Sequence, residues 1–413
     1  MIAKLRGFFR YFYSVPWCVP AWGWREFAAT TKAFATGTVV RGPFAGLFGA
    51  AVRDYLGMEF ALPVNRGRTA IELALRAMGI REGDDVVLPS FLCRSVLDAV
   101  VNTGANPVFA DIDGTLNVTA ASVEAALTPG TKCVIVAHLF GTTAPIDEIE
   151  RLLAPIGIPI IDDAAQALGA SRAGRLVGSF GACGIVSCGP GKPLAGAAGG
   201  LLVTNDRRLY ERAVALRVET EAPGKVGDRT LQFWIWRRLR RYTLPFGVLL
   251  ERIRGVRSEP VHVSAGLSNL DGAIALAQFE SLDDHAAERR RHASILLARL
   301  STLPAIQIVD SSSAEMPVKL VYVLPESGPS VEKVIDVLSN YRIEAQGGYA
   351  PLHRSYSDDS HFPNTCALWN RVLCVPLETR PARSVPIPLG HWDELSSGHE
   401  LPRSFSSISP SMA

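Results

Sequence analysis

The sequence predicts an α/β fold, with a mainly parallel sheet in a large domain and a smaller α+β domain after it, on three observations. Between about residues 60 and 206, short β-rich runs alternate with helical patterns. Several of those runs are apolar throughout, as strands covered on both faces of a parallel sheet must be. The length of 413 residues, 48% hydrophobic and 20% charged, suits two folded cores better than one.

The elements can be taken in chain order. TAIELALRAMG (69–79) sets Ile71, Leu75 and Met78 at helical spacing, and Leu73 and Ala74 widen the apolar stripe. DVVLPS (85–90), PVFADID (107–113), KCVIVAHLFG (132–141), IPIIDDAA (158–165), CGIVSC (183–188) and GGLLVTND (199–206) read as strands, with PIDEIERLLAPIG (145–157) a helix between them. Residues 226–258 break the pattern: FWIWRRLRRYTLPFGVLLERIRG is aromatic and basic, with Arg237, Arg238, Arg240 and Arg241 close together. A helical stretch (271–300) then leads to a second domain holding PVKLVYVLP (317–325) and VLCVPL (372–377) as strands and VEKVIDVLSNY (331–341) as a helix. The expected organisation is an aromatic-basic arm (1–36), a large domain (37–280) carrying the basic insert, a small domain (281–390) and an irregular Ser- and Pro-rich tail (391–413).

Composition narrows the function. A net charge of +2 gives no global drive toward nucleic acid. The cysteines number seven, an odd set without a CxxC pair, which argues against a disulfide framework or a metal site and for a reducing, cytoplasmic setting. At the N-terminus, Lys4, Arg6 and Arg10 are mixed with Phe8, Phe9, Tyr11, Phe12, Tyr13, Trp17, Trp22 and Trp24. Arg10 interrupts the apolar run that a secretory signal needs, and no stretch approaches the ~20 apolar residues of a spanning helix. Two readings stand for residues 1–24: an interfacial segment on a membrane surface, or an arm packing on the domain or a partner subunit. For 231–254 they are a solvated or interface helix, or a contact with an anionic substrate or a membrane surface.

Ligands of such sheets collect at the carboxyl ends of strands, which directs attention to the residues just past each run. Lys192, in SCGPGKPLAGAAGG, sits on a Gly- and Pro-flanked turn after a strand. Shelter there would lower its pKa and suit its amine to condense with an aldehyde. Asp163 ends the strand IPII, where a carboxylate could hold a protonated pyridine nitrogen or cap a helix. Asp162 precedes it, and alternation sends the two side chains apart. Gly67-Arg68-Thr69 opens a helix, where amides and dipole favour a phosphate, or where Thr69 caps.

In order, these read as phosphate turn, strand-end acid and strand-end lysine, and that order resembles fold-type I pyridoxal-phosphate (PLP) enzymes. The nearest likeness is to the DegT/DnrJ/EryC1/StrS family of sugar aminotransferases. It is carried by TVVRGP (38–43), GRTAIELAL (67–75), GDDVVLPSF (83–91), GANPVFADID (104–113), TPGTKCVIVAHLFG (128–141), IPIIDDAAQALGA (158–170), VGSFG (177–181), SCGPGK (187–192), GGLLVTND (199–206) and APLHRSY (350–356). The resemblance implies pyridoxal 5'-phosphate held as a Schiff base on Lys192, with Asp163 on the pyridine nitrogen and Gln166 on the 3'-oxygen. It implies Gly67, Arg68 through its backbone, Thr69 and Ser187 at the phosphate, and a homodimer with sites at the subunit interface. The implied reaction is ping-pong: an amino donor, glutamate in the family, passes its amino group to the cofactor, which passes it to a keto acceptor such as a nucleotide-linked sugar.

Four departures bear on the acceptor. Cys93 stands where the family stacks an aromatic ring, and Ala198 where it often has an acid. Ser264 and Gly266 replace an Asn and an Arg of the segment that reaches the neighbouring subunit, and the 231–254 insert is unusually basic. His353 and His138 are possible walls of the substrate pocket. Other readings are a PLP enzyme of another reaction type, decarboxylation or carbon–carbon bond formation, or a non-catalytic binding protein of the same fold.

Overall fold

The computed structural model describes residues 22–217, 226, 265–300, 307–308, 316–340 and 343–377. Two helices lead: α1 (Trp24–Ala35) and α2 (Phe44–Leu56). The large domain continues as β1 (Phe60–Val64), α3 (Gly67–Ala77), β2 (Asp85–Pro89), α4 (Arg94–Val101), β3 (Asn106–Ala110), α5 (Ala120–Ala126), β4 (Thr131–Ala137) and α6 (Ile146–Leu153). It then runs through β5 (Ile160–Asp163), β6 (Ser171–Arg172), β7 (Arg175–Leu176), β8 (Cys183–Ser187), β9 (Gly200–Thr204), α7 (Arg207–Leu216) and α8 (Asn269–Phe279). Helix α9 (Leu282–Leu300) leads to β10 (Gln307–Ile308), β11 (Lys319–Val323), α10 (Val331–Asn340), β12 (Gln346–Gly347), α11 (Pro363–Leu368) and β13 (Val372–Pro376).

The large sheet has the order β1-β9-β8-β5-β4-β2-β3. Its centre is parallel (β3, β2, β4, β5, β8); β9 runs antiparallel to β8, and the edge strand β1 runs antiparallel to β9. The central strands are buried almost without interruption, which is why they read as unbroken apolar runs. Helix α6 forms where Ile146, Ile149 and Leu153 recur on one face and are buried, with Asp147 and Glu148 in the first turn against the helix dipole.

Three expectations change. Strand β1 is absent from the sequence-based reading, because FALPV carries Pro63; an edge strand paired only with β9 tolerates the missing donor. The single helical stretch at 271–300 is two helices, α8 starting under a Ser268 cap whose hydroxyl accepts from the Asp271 amide, and α9 after a break at Glu280–Ser281. A small hairpin, β6–β7, turns through Ala173 (φ 51°) and Gly174 (φ 77°), the double positive φ of a tight hairpin turn.

The second sheet, β10-β11-β13-β12, is antiparallel. Alternation along β11 divides its side chains: Leu320 and Tyr322 pack with α9 and α10, while Val321 and Val323 join the core of the large domain. Burying each such aliphatic side chain is worth about 1.5–3 kcal/mol, so the two units share one apolar seam. The insert at 231–254 and the tail at 391–413 lie outside the described residues.

Candidate active site

The parallel register brings three strand ends to one edge. Ala137 pairs with Asp163, and Asp163 with Ile185, so His138, Asp163 and Ser187 emerge together. In the neighbouring antiparallel strands, Ser187 pairs with Gly200 and Gly200 with Val64, which sets the turn after β1 beside Ser187.

The two adjacent aspartates take opposite roles. Asp162 is fully buried and consumed by the fold: Oδ1 lies 2.9 Å from His138 Nε2, and Oδ2 accepts from the Gly178 and Phe180 amides at 2.6 and 3.0 Å. Asp163 is also buried, yet its described side-chain hydrogen bond is a single one, from the Ala165 amide to Oδ1 at 3.0 Å. Burial raises the Asp163 pKa above the ordinary carboxylate value, and the charge of Lys192 pulls it part of the way back. A buried carboxylate in that condition is suited to a cationic partner.

The helix start beside it forms a tight cradle. Gly67 and Thr69 open α3 after Arg66, which caps with backbone only, and Arg68 between them is half-buried. A Cβ on Gly67 would lie 2.9 Å from Ser187 Cβ and 3.1 Å from its Oγ, so only glycine admits Ser187 this close. On the other side, a Cβ on Gly200 would meet the Arg66 carbonyl carbon at 2.7 Å. The Thr69 hydroxyl, expected to face a phosphate, instead donates to Asn65 Oδ1 at 2.7 Å. Asn65 is itself buried and tied through its backbone to Gly199 and Ala265.

Lys192 stands half-buried on the loop from β8 to β9. Gly191 (φ 72°) and Gly199 (φ 129°) supply the left-handed turns, and the Lys192 amide bonds back to the Gly189 carbonyl at 3.3 Å. Trp22, buried, braces the loop from outside by donating Nε1–H to the Ala195 carbonyl at 2.6 Å.

The second sheet closes the site with an aromatic wall. Tyr349 stacks on Phe140 (5.8 Å between centroids, 11°) and meets Phe91 edge-on at 5.5 Å. Gln166 Nε2 donates to the Tyr349 hydroxyl at 3.2 Å. Phe140 holds a positive φ of 58°, a strained setting for a bulky residue that keeps its ring under Tyr349. Phe91 is fully buried, and Cys93 is the partly exposed N-cap of α4, with its Sγ 3.2 Å from Ser95 Oγ.

The two histidines named as possible pocket walls serve the framework instead. His138 is buried; its Nδ1 accepts from the Ala144 amide at 2.9 Å, which leaves the proton on Nε2 for Asp162. His353 is buried between Ser90 Oγ (2.7 Å from Nδ1) and Asp359 Oδ1 (2.9 Å from Nε2), with its ring on Phe362 at 3.9 Å. Both nitrogens of each ring are therefore engaged within the protein. His353, Asp359 and Cys366 approach one another closely enough to suggest a metal, but Arg354 already occupies both oxygens of Asp359 and holds its pKa down to about 2. A cation would have to displace that guanidinium.

The family model of the DegT/DnrJ/EryC1/StrS aminotransferases matches residues 22–382. The chain belongs to this family. It is 34% identical over 251 residues to the GDP-perosamine synthase of Caulobacter vibrioides, a match spanning 60% of each chain. Among solved structures, the aminotransferase TlmJ of Streptoalloteichus hindustanus superposes with a TM-score of 0.71 at 24% identity, over 93% of this chain and 97% of that one. DesV of S. venezuelae does so with a TM-score of 0.69 at 26% identity, over 90% and 93%. The fold is that of the fold-type I PLP-dependent transferases.

Within the family frame, the departures gain a physical setting. Two residues before Cys93, the Phe91 ring meets Tyr349, which stacks on Phe140. Ala198 is buried in the lysine loop, and Gly266 bridges Val64 of its own chain. Ser264 lies outside the described residues. Sequence reasoning missed Asn65 and Tyr349. Asn65 stands two residues before Gly67 and Tyr349 one before the APLHRSY motif, so adjacency was the available signal. Trp22 falls in the aromatic segment for which packing on the domain was one reading, but nothing in the sequence marked Ala195, 173 residues on, as its partner.

Proposed function

We propose that the protein is a PLP-dependent aminotransferase that moves an amino group from an amino acid, glutamate in the first instance, to the keto group of a nucleotide-linked sugar or a related intermediate. The observation that carries this is the convergence of Lys192, Asp163 and the Gly67–Ser187 cradle at one sheet edge. The residues fit the cofactor in two ways. Asp163 is a buried carboxylate of raised pKa, suited to a ring cation, and the cradle is a close approach that a side chain on Gly67 would fill.

When bound, PLP supplies an aldehyde for amines and a ring that draws electrons from the reacting carbon. The chain's own residues do the rest. Lys192 Nζ would hold the cofactor covalently, and its amine, once released, would carry the proton between the substrate carbon and the C4′ atom of the cofactor in each half-reaction. Asp163 would keep the ring nitrogen protonated, and its burial strengthens that pairing. The amides at the start of α3, with Ser187, would hold the phosphate. Gln166 would orient the ring edge, and Tyr349 and Phe140 would exclude water from one side.

Membership of the family supports a homodimer, and the free thiols of Cys93, Cys133, Cys183, Cys188, Cys366 and Cys374 support a reducing, cytoplasmic setting. No helix among the described residues is long and apolar enough to cross a membrane. The reading is tested on PLP-loaded protein by adding glutamate and following the visible-edge absorbance, then adding nucleotide-linked 4-keto sugars. Loss of the band on glutamate and its return with an acceptor are expected. A band unmoved by a full panel of amino acids would overturn transamination.

A further inference from the structure

The small domain reaches the candidate cofactor pocket through Tyr349. This residue follows β12 by two positions, and its place is fixed from several directions. The Gly348 amide donates to the Val372 carbonyl of β13 at 3.0 Å. A Cβ on Gly348 would lie 2.8 Å from Val372 Cβ and 2.9 Å from Phe91 Cζ, so only glycine lets the chain pass between them. The Tyr349 ring then packs into the large domain, stacked on Phe140 and edge-on to Phe91. Lys319 of β11 sets its ammonium 5.7 Å from the Phe140 centroid, a second tie between the same two units.

At the far end of this ring the hydroxyl meets Gln166. Gln166 lies three residues past Asp163 and is buried. Its Nε2 donates to the Tyr349 hydroxyl at 3.2 Å, across 183 residues of sequence. A primary amide carries two N–H donors on its nitrogen and only lone pairs on its oxygen. Whichever end faces the cofactor therefore decides whether Gln166 offers a donor or an acceptor there. With Nε2 drawn toward Tyr349, a rotation that exchanges nitrogen and oxygen breaks this bond, and the second N–H stays on the same nitrogen.

We propose that Tyr349 is a positioning residue: its hydroxyl holds the Gln166 amide so that the second N–H of Nε2 donates to the 3'-oxygen of PLP. The proposal rests on the cofactor reading given above, in which Gln166 meets that oxygen. Its consequence is electronic. Removing the proton from the Schiff base on Lys192 leaves the negative charge of the 3'-oxygen without its N–H⁺ partner. A donor from Gln166 stabilises that form and so lowers the pKa of the Schiff base. A side chain of the small domain thus tunes the cofactor held by the large one.

The test is a pH titration of the visible-edge absorbance of PLP-loaded protein, which follows the Schiff-base proton directly and needs no turnover. Tyr349→Phe keeps the ring that packs on Phe140 and Phe91 and removes the hydroxyl alone. The titratable groups around the contact, Asp163, His138 and Lys192 in the large domain and Lys319 over Phe140, are the same in that variant. The titration midpoint is expected to rise by about half to one pH unit. Gln166→Ala should raise it at least as far, and Tyr349→Phe/Gln166→Ala should titrate like Gln166→Ala, because the hydroxyl acts through the amide. A midpoint unmoved or lowered by Tyr349→Phe would overturn the proposal, as would a shift that persists undiminished in the Gln166→Ala background. If the unmodified protein forms no borohydride-sensitive band with PLP, the cofactor reading itself fails and the proposal with it.

Discussion

Replacing Gly67 by alanine probes the cradle at its tightest point. The new Cβ would sit 2.9 Å from Ser187 Cβ and 3.1 Å from Oγ. Comfortable carbon–carbon contact is about 3.5–4.0 Å, so the overlap is roughly half an ångström to one ångström. Ser187 Cβ is fixed to strand β8 and cannot rotate away, so helix α3 must shift. Overpacking of this kind costs about 1–3 kcal/mol, against which alanine's better helix propensity returns at most about 1. The expected net loss of stability is therefore small, about 0–2 kcal/mol. The larger effect falls on the cofactor: displacing one charge-assisted amide contact to phosphate costs about 1.5–3 kcal/mol, or roughly tenfold to a hundredfold in Kd. Absorbance titration with PLP, alongside thermal unfolding, measures both. Adding Ser187→Gly should restore the stability but only part of the affinity, since the hydroxyl is gone. If Gly67→Ala binds PLP like the unmodified protein and unfolds at the same temperature, the cradle does not exist as described.

Three further outcomes rest on the same geometry. The carboxyl of Asp163 titrates above its ordinary value, so its ionisation opposes folding of the cofactor-free protein, and the penalty grows as pH rises from the ordinary carboxylate range through the raised pKa. Cofactor-free Asp163→Asn should then melt at or above the parent at neutral pH, with the gap closing in acid, while turnover is lost; a parent that gains on the variant as pH rises refutes the burial. His353→Ala removes a buried hydrogen bond to Ser90, a part-buried one to Asp359 and a ring stack and should cost about 2–4 kcal/mol, and a cycle with Ser90→Ala should show coupling of about 1 kcal/mol; strict additivity would separate the pair. Trp22→Phe leaves the buried Ala195 carbonyl short of a donor, so denaturant unfolding should report a loss of about 1–2 kcal/mol and stopped-flow dilution a faster release of PLP; an unchanged release rate would detach Trp22 from the lysine loop.

The central sheet was legible because strands buried on both faces need apolar residues at every position, and IPII and CVIVA have them. Strand β1 was not, because Pro63 is acceptable only at an edge and an edge is a property of the assembled sheet. The order Thr69, Asp163, Lys192 pointed to the site, and alternation separated Asp163 from Asp162 before any contact was known. What local pattern could not supply were partners far apart in the chain. Ser90 and His353 are 263 residues apart, and Asp111 accepts from the Thr365 amide 254 residues on, capping α11 from the other domain. His138 illustrates the same limit. Its place at a strand end marked it for a ligand, but the Ala144 amide and Asp162 take both of its nitrogens.

The central claim is that Lys192 is the lysine that holds the cofactor. Borohydride reduction of the PLP-loaded protein, then proteolysis and peptide mass mapping, addresses it directly. The predicted result is a phosphopyridoxyl mass on the peptide containing Lys192, absent from Lys192→Ala. A label on another lysine, or equal labelling of Lys192→Ala, would contradict the account.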